Sequence, residues 1–179
     1  FLNEKGRTSV KNDGLMPSAL SGPVLDFLMP KITLLGNGGA IWILAARILL
    51  AQKNRRQGVL LLVGLIAGLL VGNACLKNLI ARPRPCWLDS SVRLLIADPT
   101  DYSFPSGHTL SSVIGATILT KTDRRFGYAA IPLAALIAFS RLYLYVHFPS
   151  DVLAAAVLGV MIGELAFYAD RRWTERRGT

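Results

Sequence analysis

Charge is scarce in this sequence, and so are the residues that usually build disulfides and metal centres. Of 179 residues only 17% are charged, while 52% are apolar. A soluble domain ordinarily carries about 25% charged residues, so the composition argues for a membrane protein before any motif is read. Two cysteines, Cys75 and Cys86, make neither a disulfide framework nor a metal-binding pattern; Cys75 is expected to pack inside a helix. No cluster of carboxylates offers itself to a divalent metal, and no internal repeat is visible. Residues 1–14 are polar, which excludes a signal-peptide pattern there. The chain opens at Phe1 without a methionine, so an upstream segment, even a sixth span, is left open.

What the chain has is apolar runs. Five stand out, at residues 32–51, 58–76, 105–120, 127–146 and 152–169. Four of them approach the ~20 residues that a helix needs to cross a bilayer. The third is shorter, about 24 Å at ~1.5 Å per residue, and spans if its first turn lies at the membrane surface. Glycines recur in these runs, as they do where membrane helices pack closely. The fold class is therefore all-α, an integral membrane helical bundle of about five transmembrane helices. Residues 15–31, "LMPSALSGPVLDFLMPK", are apolar but interrupted by three prolines. They read as a surface-lying segment rather than a span. The chain thus divides into an N-terminal tail with that segment, 1–31, and a membrane domain, 32–179.

The net charge of +9 invites a nucleic-acid reading, but its placement speaks against one. The connectors "QKNRRQ" (52–57) and "KTDRR" (121–125) and the terminal "DRRWTERRGT" (170–179) hold ten of the twenty Lys and Arg residues. In an alternating five-span topology all three fall on one side, which the positive-inside rule makes cytoplasmic. The opposite side receives the loop 77–104 and the turn 147–151.

Three polar clusters converge on that opposite side. In "KNLIARPRP" (77–85), span two should continue through Lys77 until Pro83 and Pro85 stop it. Lys77 and Arg84 would share a helical face if the helix persisted, with Arg82 as the competing cation. Snorkelling cations at a membrane boundary are the plain alternative. In "YSFPSGHTLSS" (102–112), Pro105 suits a first helical turn. Ser106 and Gly107 would then present free backbone N–H groups, an anion site at a helix N-terminus. His108, one of only two histidines, stands beside it; the plain alternative is a capped helix with a surface histidine. In "SRLYLYVHFPSD" (140–151), Arg141 lies in an apolar run and needs a polar partner. His147 and Asp151 are four apart, so one helical turn would pair carboxylate with imidazole, although Pro149 disturbs that turn. Taken together, three cations, a helix N-terminus and both histidines fit a phosphoryl group. One histidine serves as nucleophile, the other as acid, and cations neutralise charge in place of a metal.

These residues carry a resemblance. Lys77 with Arg84-Pro85, Pro105-Ser106-Gly107-His108, and Ser140-Arg141 with His147 and Asp151 reproduce a three-part motif over residues 77–151. The chain resembles the type 2 phosphatidic acid phosphatase superfamily, which also contains bacterial acid phosphatases and vanadium haloperoxidases. The resemblance implies a phosphatidic acid phosphatase/haloperoxidase-like core and favours Arg84 over Arg82. It implies His147 as the nucleophile that forms a phosphohistidine, Asp151 as its orienting carboxylate, and His108 as acid and then base. It implies Lys77, Arg84, Ser106, Gly107 and Arg141 as phosphate ligands, with no metal and no cofactor. The neighbourhoods "LGNGGAIWI" and "RPRPCW" look like the small bacterial membrane branch, including undecaprenyl-diphosphate phosphatases.

The positive-inside topology puts the site on the extracytoplasmic face, and the resemblance implies a bacterial plasma-membrane enzyme. There a lipid phosphate presents its head group while its tail stays in the bilayer. Undecaprenyl diphosphate is the first-choice substrate. Phosphatidic acid, phosphatidylglycerol phosphate and lipid A phosphates use the same kind of pocket. A non-hydrolytic lipid transporter would not need both histidines, and a vanadate haloperoxidase would not need membrane spans. Nucleic acid is not expected as a partner.

Overall fold

A computed structural model describes residues 22–177 except Lys53 and Ser90. Part of the expected surface-lying segment, residues 15–21, lies outside the described residues. Helix α1 runs Pro23–Gly36 and α2 runs Ala40–Ala51, joined by a tight turn at Asn37–Gly39. Gly38 and Gly39 take φ of 57° and 72°, left-handed values that favour glycine. Pro23 stands in the first turn of α1, but Pro30 lies inside it. The helix therefore continues across the boundary expected at residue 31. A proline removes one backbone bond, and tertiary packing in a membrane bundle tolerates that loss.

Helix α3, Arg55–Gly68, leads through a wider π-helical stretch, Leu69–Leu76, into the short α4, Lys77–Ile80. Ala81 closes it in the left-handed region, at φ 47°. Arg84 is extended and caps the four-residue α5, Pro85–Leu88. Lys77 and Arg84 therefore do not share a helical face, because the helix ends between them. Cys75, expected inside, is exposed on the outer surface of the π stretch.

Helices α6 (Gly107–Thr122), α7 (Arg124–Tyr143) and α8 (Pro149–Arg177) complete the chain. Four stretches among the described residues are long and apolar enough to cross a membrane: Pro23–Ala51, Arg55–Leu88, Arg124–Tyr143 and Pro149–Arg176. The fifth expected span is α6, and its shortness has a structural reason. It is the centre of the bundle, packed against α3, α7 and α8, with Leu110, Ile114 and Ile118 buried. Apolar side chains such as Val24, Phe27, Leu70, Tyr128 and Leu153 face outward instead, as expected where lipid is the solvent. A polar group inside such a bundle needs a partner, and Trp42 Nε1 donates to the buried Ser112 Oγ of α6 at 3.0 Å.

The basic connectors gather at one end. Arg56 pairs with Asp170 at 2.8 Å and donates to Thr174, while Lys121 pairs with Glu164 at 2.9 Å. The loop of residues 91–104 and the turn between α7 and α8 lie at the other end. If the Trp42–Ser112 bond secures the central helix, Trp42→Phe strands a buried hydroxyl, at a cost of about 1–3 kcal/mol. The midpoint of thermal unfolding in detergent is expected to fall; an unchanged midpoint would contradict this role.

Candidate active site

The loop-bearing end is built from backbone positions that most residues avoid. Ala81 and Tyr145, at φ 47° and 58°, are the non-glycine residues with left-handed backbone among those described. Such strain persists only where surroundings enforce it, often at functional sites. Ala81 turns the chain toward Arg82 and Arg84. Tyr145 turns it toward His147, two residues before α8 begins.

His147 is buried, and its two nitrogens have different neighbours. Arg84 Nη1 stands 3.2 Å from Nε2. A guanidinium only donates, so Nε2 must hold a lone pair and the proton sits on Nδ1. On that side Asp151 Oδ2 is 3.7 Å away, beyond a direct hydrogen bond. The Ser103 hydroxyl stands between them, donating to Asp151 Oδ2 at 2.5 Å and lying 3.4 Å from Nδ1. His147 and Asp151 are thus not brought together by a shared helical turn. Pro149 starts α8 after His147, and the Asp151 carboxylate reaches back to accept from the Phe148 N–H at 2.9 Å. Arg82 Nη1 completes the fixation, donating to Asp151 Oδ1 at 2.7 Å with its guanidinium stacked over Phe148. Burial, foremost, and the nearby Arg84, Arg141 and Lys77 push the His147 imidazole down to about 4, although Asp151 works to raise it. The ring is therefore neutral near pH 7, with its lone pair on Nε2 beside Arg84.

Around that nitrogen lies a cradle of buried cations: Lys77, Arg84 and Arg141 are only 5%, 2% and 4% exposed. Arg141 Nη1 donates to Thr33 Oγ1 of α1 at 2.6 Å. Its Nε is a buried side-chain donor with no partner among the described residues, which is costly unless a ligand supplies an acceptor. Asp101 bridges the other two cations, at 2.5 Å from Lys77 Nζ and 2.7 Å from Arg84 Nη2. Burial opposes its ionisation, but the Lys77 hydrogen bond and the charges of Lys77 and Arg84 prevail and hold its carboxyl at about 2.

His108, in the first turn of α6, places Nε2 2.7 Å from Asn37 Oδ1 in the turn between α1 and α2. Its ring lies so close to Gly36 that a Cβ there would come within 2.8 Å of Cδ2; glycine makes room for the imidazole. The Phe104–Pro105 peptide is cis, and Pro105 precedes the helix rather than opening it. Gly107 opens the helix and lines the cavity beside Asn73. Ser106, expected to offer a free N–H, is fully buried as the N-cap. Its N–H reaches the Asp151 carbonyl at 3.4 Å, and its hydroxyl accepts from Thr109 at 3.1 Å. The backbone tucks under α8 at that point, which takes Ser106 away from the open site.

The cation cradle, both imidazoles and Gly107 face one cavity of about 520 Å³, whereas Arg82, Ser103, Ser106 and Asp151 do not line it. Lys77, Arg84, Asp101, His108, Arg141 and His147 line its head, and Leu34, Ile43, Leu62, Leu65, Ile66 and Leu69 line an apolar flank between α1–α2 and α3. A buried cation cradle with two imidazoles can hold a phosphoryl group and exchange it at nitrogen, and the flank can accept a hydrocarbon chain. The three motif segments expected to converge do so. Asp101, Ser103, Arg82, Thr33 and Asn37 join them without having been singled out for these roles. Ser103 and Asn37 stood inside stretches already notable in sequence, "YSFPSGH" and "LGNGG", but their partners lie 48 and 71 residues away.

Comparison with known proteins decides the family. The family model described as the PAP2 superfamily matches residues 57–175. The chain belongs to the PAP2 superfamily. Among PAP2 relatives, it is 34% identical over 128 residues to an undecaprenyl-diphosphatase of Sulfolobus acidocaldarius, a match covering 70% of this chain but 62% of that protein. It is 33% identical over 146 residues to the undecaprenyl-diphosphatase BcrC of Bacillus subtilis, covering 80% and 74%. The crystal structure of the PAP2 neighbour Aquifex aeolicus LpxE superposes with a TM-score of 0.74 at 28% identity, over 84% of this chain and 89% of that one. The fold is thus that of integral membrane PAP2 proteins.

The hydroxyl of Ser103 links Asp151 to His147, so Ser103→Ala tests that link. With purified protein and a lipid phosphate, kcat is expected to fall about tenfold or more, corresponding to ~1.4 kcal/mol of barrier, with KM little changed. An unaltered kcat, or a loss confined to KM, would contradict it.

Proposed function

We propose that the protein is a membrane lipid phosphatase that removes a terminal phosphate from a lipid diphosphate or monophosphate, with undecaprenyl diphosphate as first choice. One observation supports this reading above the rest: the cavity joins a buried cation cradle and both imidazoles to an apolar flank. A phosphorylated lipid has that division of character, and the names of the relatives point the same way.

In this reading Lys77, Arg84 and the partnerless Arg141 Nε–H hold the phosphoryl oxygens, with the Gly107 N–H and the N-terminus of α6 in support. Ser106 caps that helix end and aims it. His147 Nε2 attacks phosphorus; a P–N bond forms as the P–O bond to the leaving lipid breaks. His108 gives that oxygen a proton. A water then attacks the phosphohistidine, His108 takes the water's proton, the P–N bond breaks and inorganic phosphate leaves. Asp151, held by Ser103, Arg82 and the Phe148 N–H, keeps the proton of His147 on Nδ1. The cations stabilise the charge of the transition state, which in a partly desolvated site is the largest available contribution to the rate.

The site faces outward from a bacterial plasma membrane in this reading. The basic connectors occupy the opposite end of the bundle, where positive charge is retained on the cytoplasmic side. In a version lacking Cys75 and Cys86, Asp123→Cys is expected to react with an impermeant thiol reagent only from the cytoplasmic side. Labelling from outside would invert the topology.

Phosphate release from undecaprenyl diphosphate, phosphatidic acid and phosphatidylglycerol phosphate in detergent tests the function. The first is expected to turn over fastest, orthovanadate to inhibit, and EDTA to leave the rate unchanged. His147→Ala is expected to lower kcat by about 10³-fold or more with its unfolding midpoint retained. Release that survives this substitution, or no release from any of the three lipids, would overturn the proposal.

A further inference from the structure

The cradle already contains an anion of its own. Arg84 spends Nε on the Asp101 carbonyl at 2.6 Å and Nη1 on the Val146 carbonyl at 2.7 Å and His147 Nε2. The edge left for a ligand is Nη2, and there the Asp101 carboxylate binds at 2.7 Å. Its other oxygen takes the Lys77 ammonium at 2.5 Å. The Asp101 side chain is 54% exposed, against 3% for Arg84 and 7% for Lys77. It reaches into the cradle from the loop side, while the cations are fixed beneath it.

An incoming phosphoryl group that uses Lys77 and Arg84 must therefore displace a carboxylate from both. The exchange is between acceptors of like reach, since carboxylate and phosphate can each put one oxygen on Arg84 Nη2 and another on the Lys77 ammonium. Charge then decides it. A terminal phosphate, with a second pKa of about 6, brings close to two negative charges at neutral pH. A phosphodiester head group, as in the bulk phospholipid around the protein, brings one and offers no gain over Asp101.

We propose that Asp101 is a specificity-determining residue: its carboxylate occupies the Lys77–Arg84 seat so that only a dianionic terminal phosphoryl group displaces it, and monoanionic phosphodiester lipids are kept out. This deepens the function proposed above and rests on its assignment of Lys77 and Arg84 to the phosphate. Once displaced, the freed carboxylate swings toward the exposed side of the loop. Lys77 and Arg84 thus stay paired when the site is empty, where uncompensated buried cations would be costly.

The test compares binding of inorganic phosphate with binding of dihexyl phosphate, a singly charged diester, to the full chain in detergent. Thermal stabilisation without turnover gives both affinities. The unaltered protein is expected to prefer inorganic phosphate strongly. In Asp101→Asn both ligands are expected to bind more tightly. Both are expected to gain by a similar factor, about tenfold or more, the scale of losing one charge-assisted hydrogen bond from the competitor, because a carboxylate that every ligand must displace costs each of them the same. The diester thereby goes from no measurable binding to measurable binding. Asp101→Glu is expected to abolish diester binding again. Measurable diester binding to the unaltered protein, diester binding still unmeasurable in Asp101→Asn, or weaker phosphate binding there, overturns the proposal. Should Asp101→Asn not fold, a structure of the unaltered protein with orthovanadate decides: Asp101 has left Lys77 and Arg84, or it still bridges them and the proposal fails. Because these readouts need no hydrolysis, a protein that shows the filter but releases no lipid phosphate refutes the enzymatic reading alone.

Discussion

The guanidinium of Arg84 is the interaction on which the site depends. It is almost wholly buried, and in a low-dielectric surrounding an unpaired cation there would be costly. The chain answers by bringing two separate segments to it. The loop before α6 supplies the Asp101 carbonyl and carboxylate, the turn after α7 supplies the Val146 carbonyl, and His147 presents Nε2. Satisfying one arginine thereby fixes the His147 tautomer and orients the loop that carries Asp101. Arg82, two residues away, does the complementary task on the far side of the ring by clamping Asp151. The "RPRP" stretch is extended and stiff because of its prolines, so the two arginines point to opposite sides of one imidazole system.

Membrane packing explains how such a polar cluster is tolerated. The cluster lies at the end of the bundle, around the first turn of a helix too short to cross a bilayer by itself. Helix α6 never needs the full thickness, since α3, α7 and α8 surround it. Beside its N-terminus the π-helical widening at Leu69–Leu76 and the turn at Asn37–Gly39 flank the cavity. That gives one continuous space from ammonium and guanidinium groups to leucine and isoleucine side chains.

Much of this was legible in the sequence, and the failures share a cause. Apolar runs gave the helical membrane architecture, because hydropathy reports directly on the solvent that each segment meets. The three motif segments placed Lys77, Arg84, His108, Arg141, His147 and Asp151 in one locality. What misled was extending helical phase through prolines. Lys77 and Arg84 meet by way of Asp101, not along a helix, and His147 precedes α8 instead of sharing its first turn with Asp151. The Ser106 N–H looked free because helix N-termini usually leave it so; its acceptor is a carbonyl 45 residues later. Asp101 was invisible because a lone carboxylate in an irregular loop has no periodicity to reveal its direction. Thr33 and Asn37 were missed because both stood in what read as one continuous apolar run, 32–51, whereas α1 ends at Gly36 and the turn at Asn37–Gly39 breaks that run beside the cavity.

Covalent transfer of phosphate to His147 is the central step of the proposed function, and it can be measured directly. Protein mixed with excess undecaprenyl diphosphate, quenched in alkali during turnover and digested, is expected to yield a peptide bearing one phosphoryl group on His147. Quenched protein with no phosphoryl group, or with the group on His108 instead, would contradict the account.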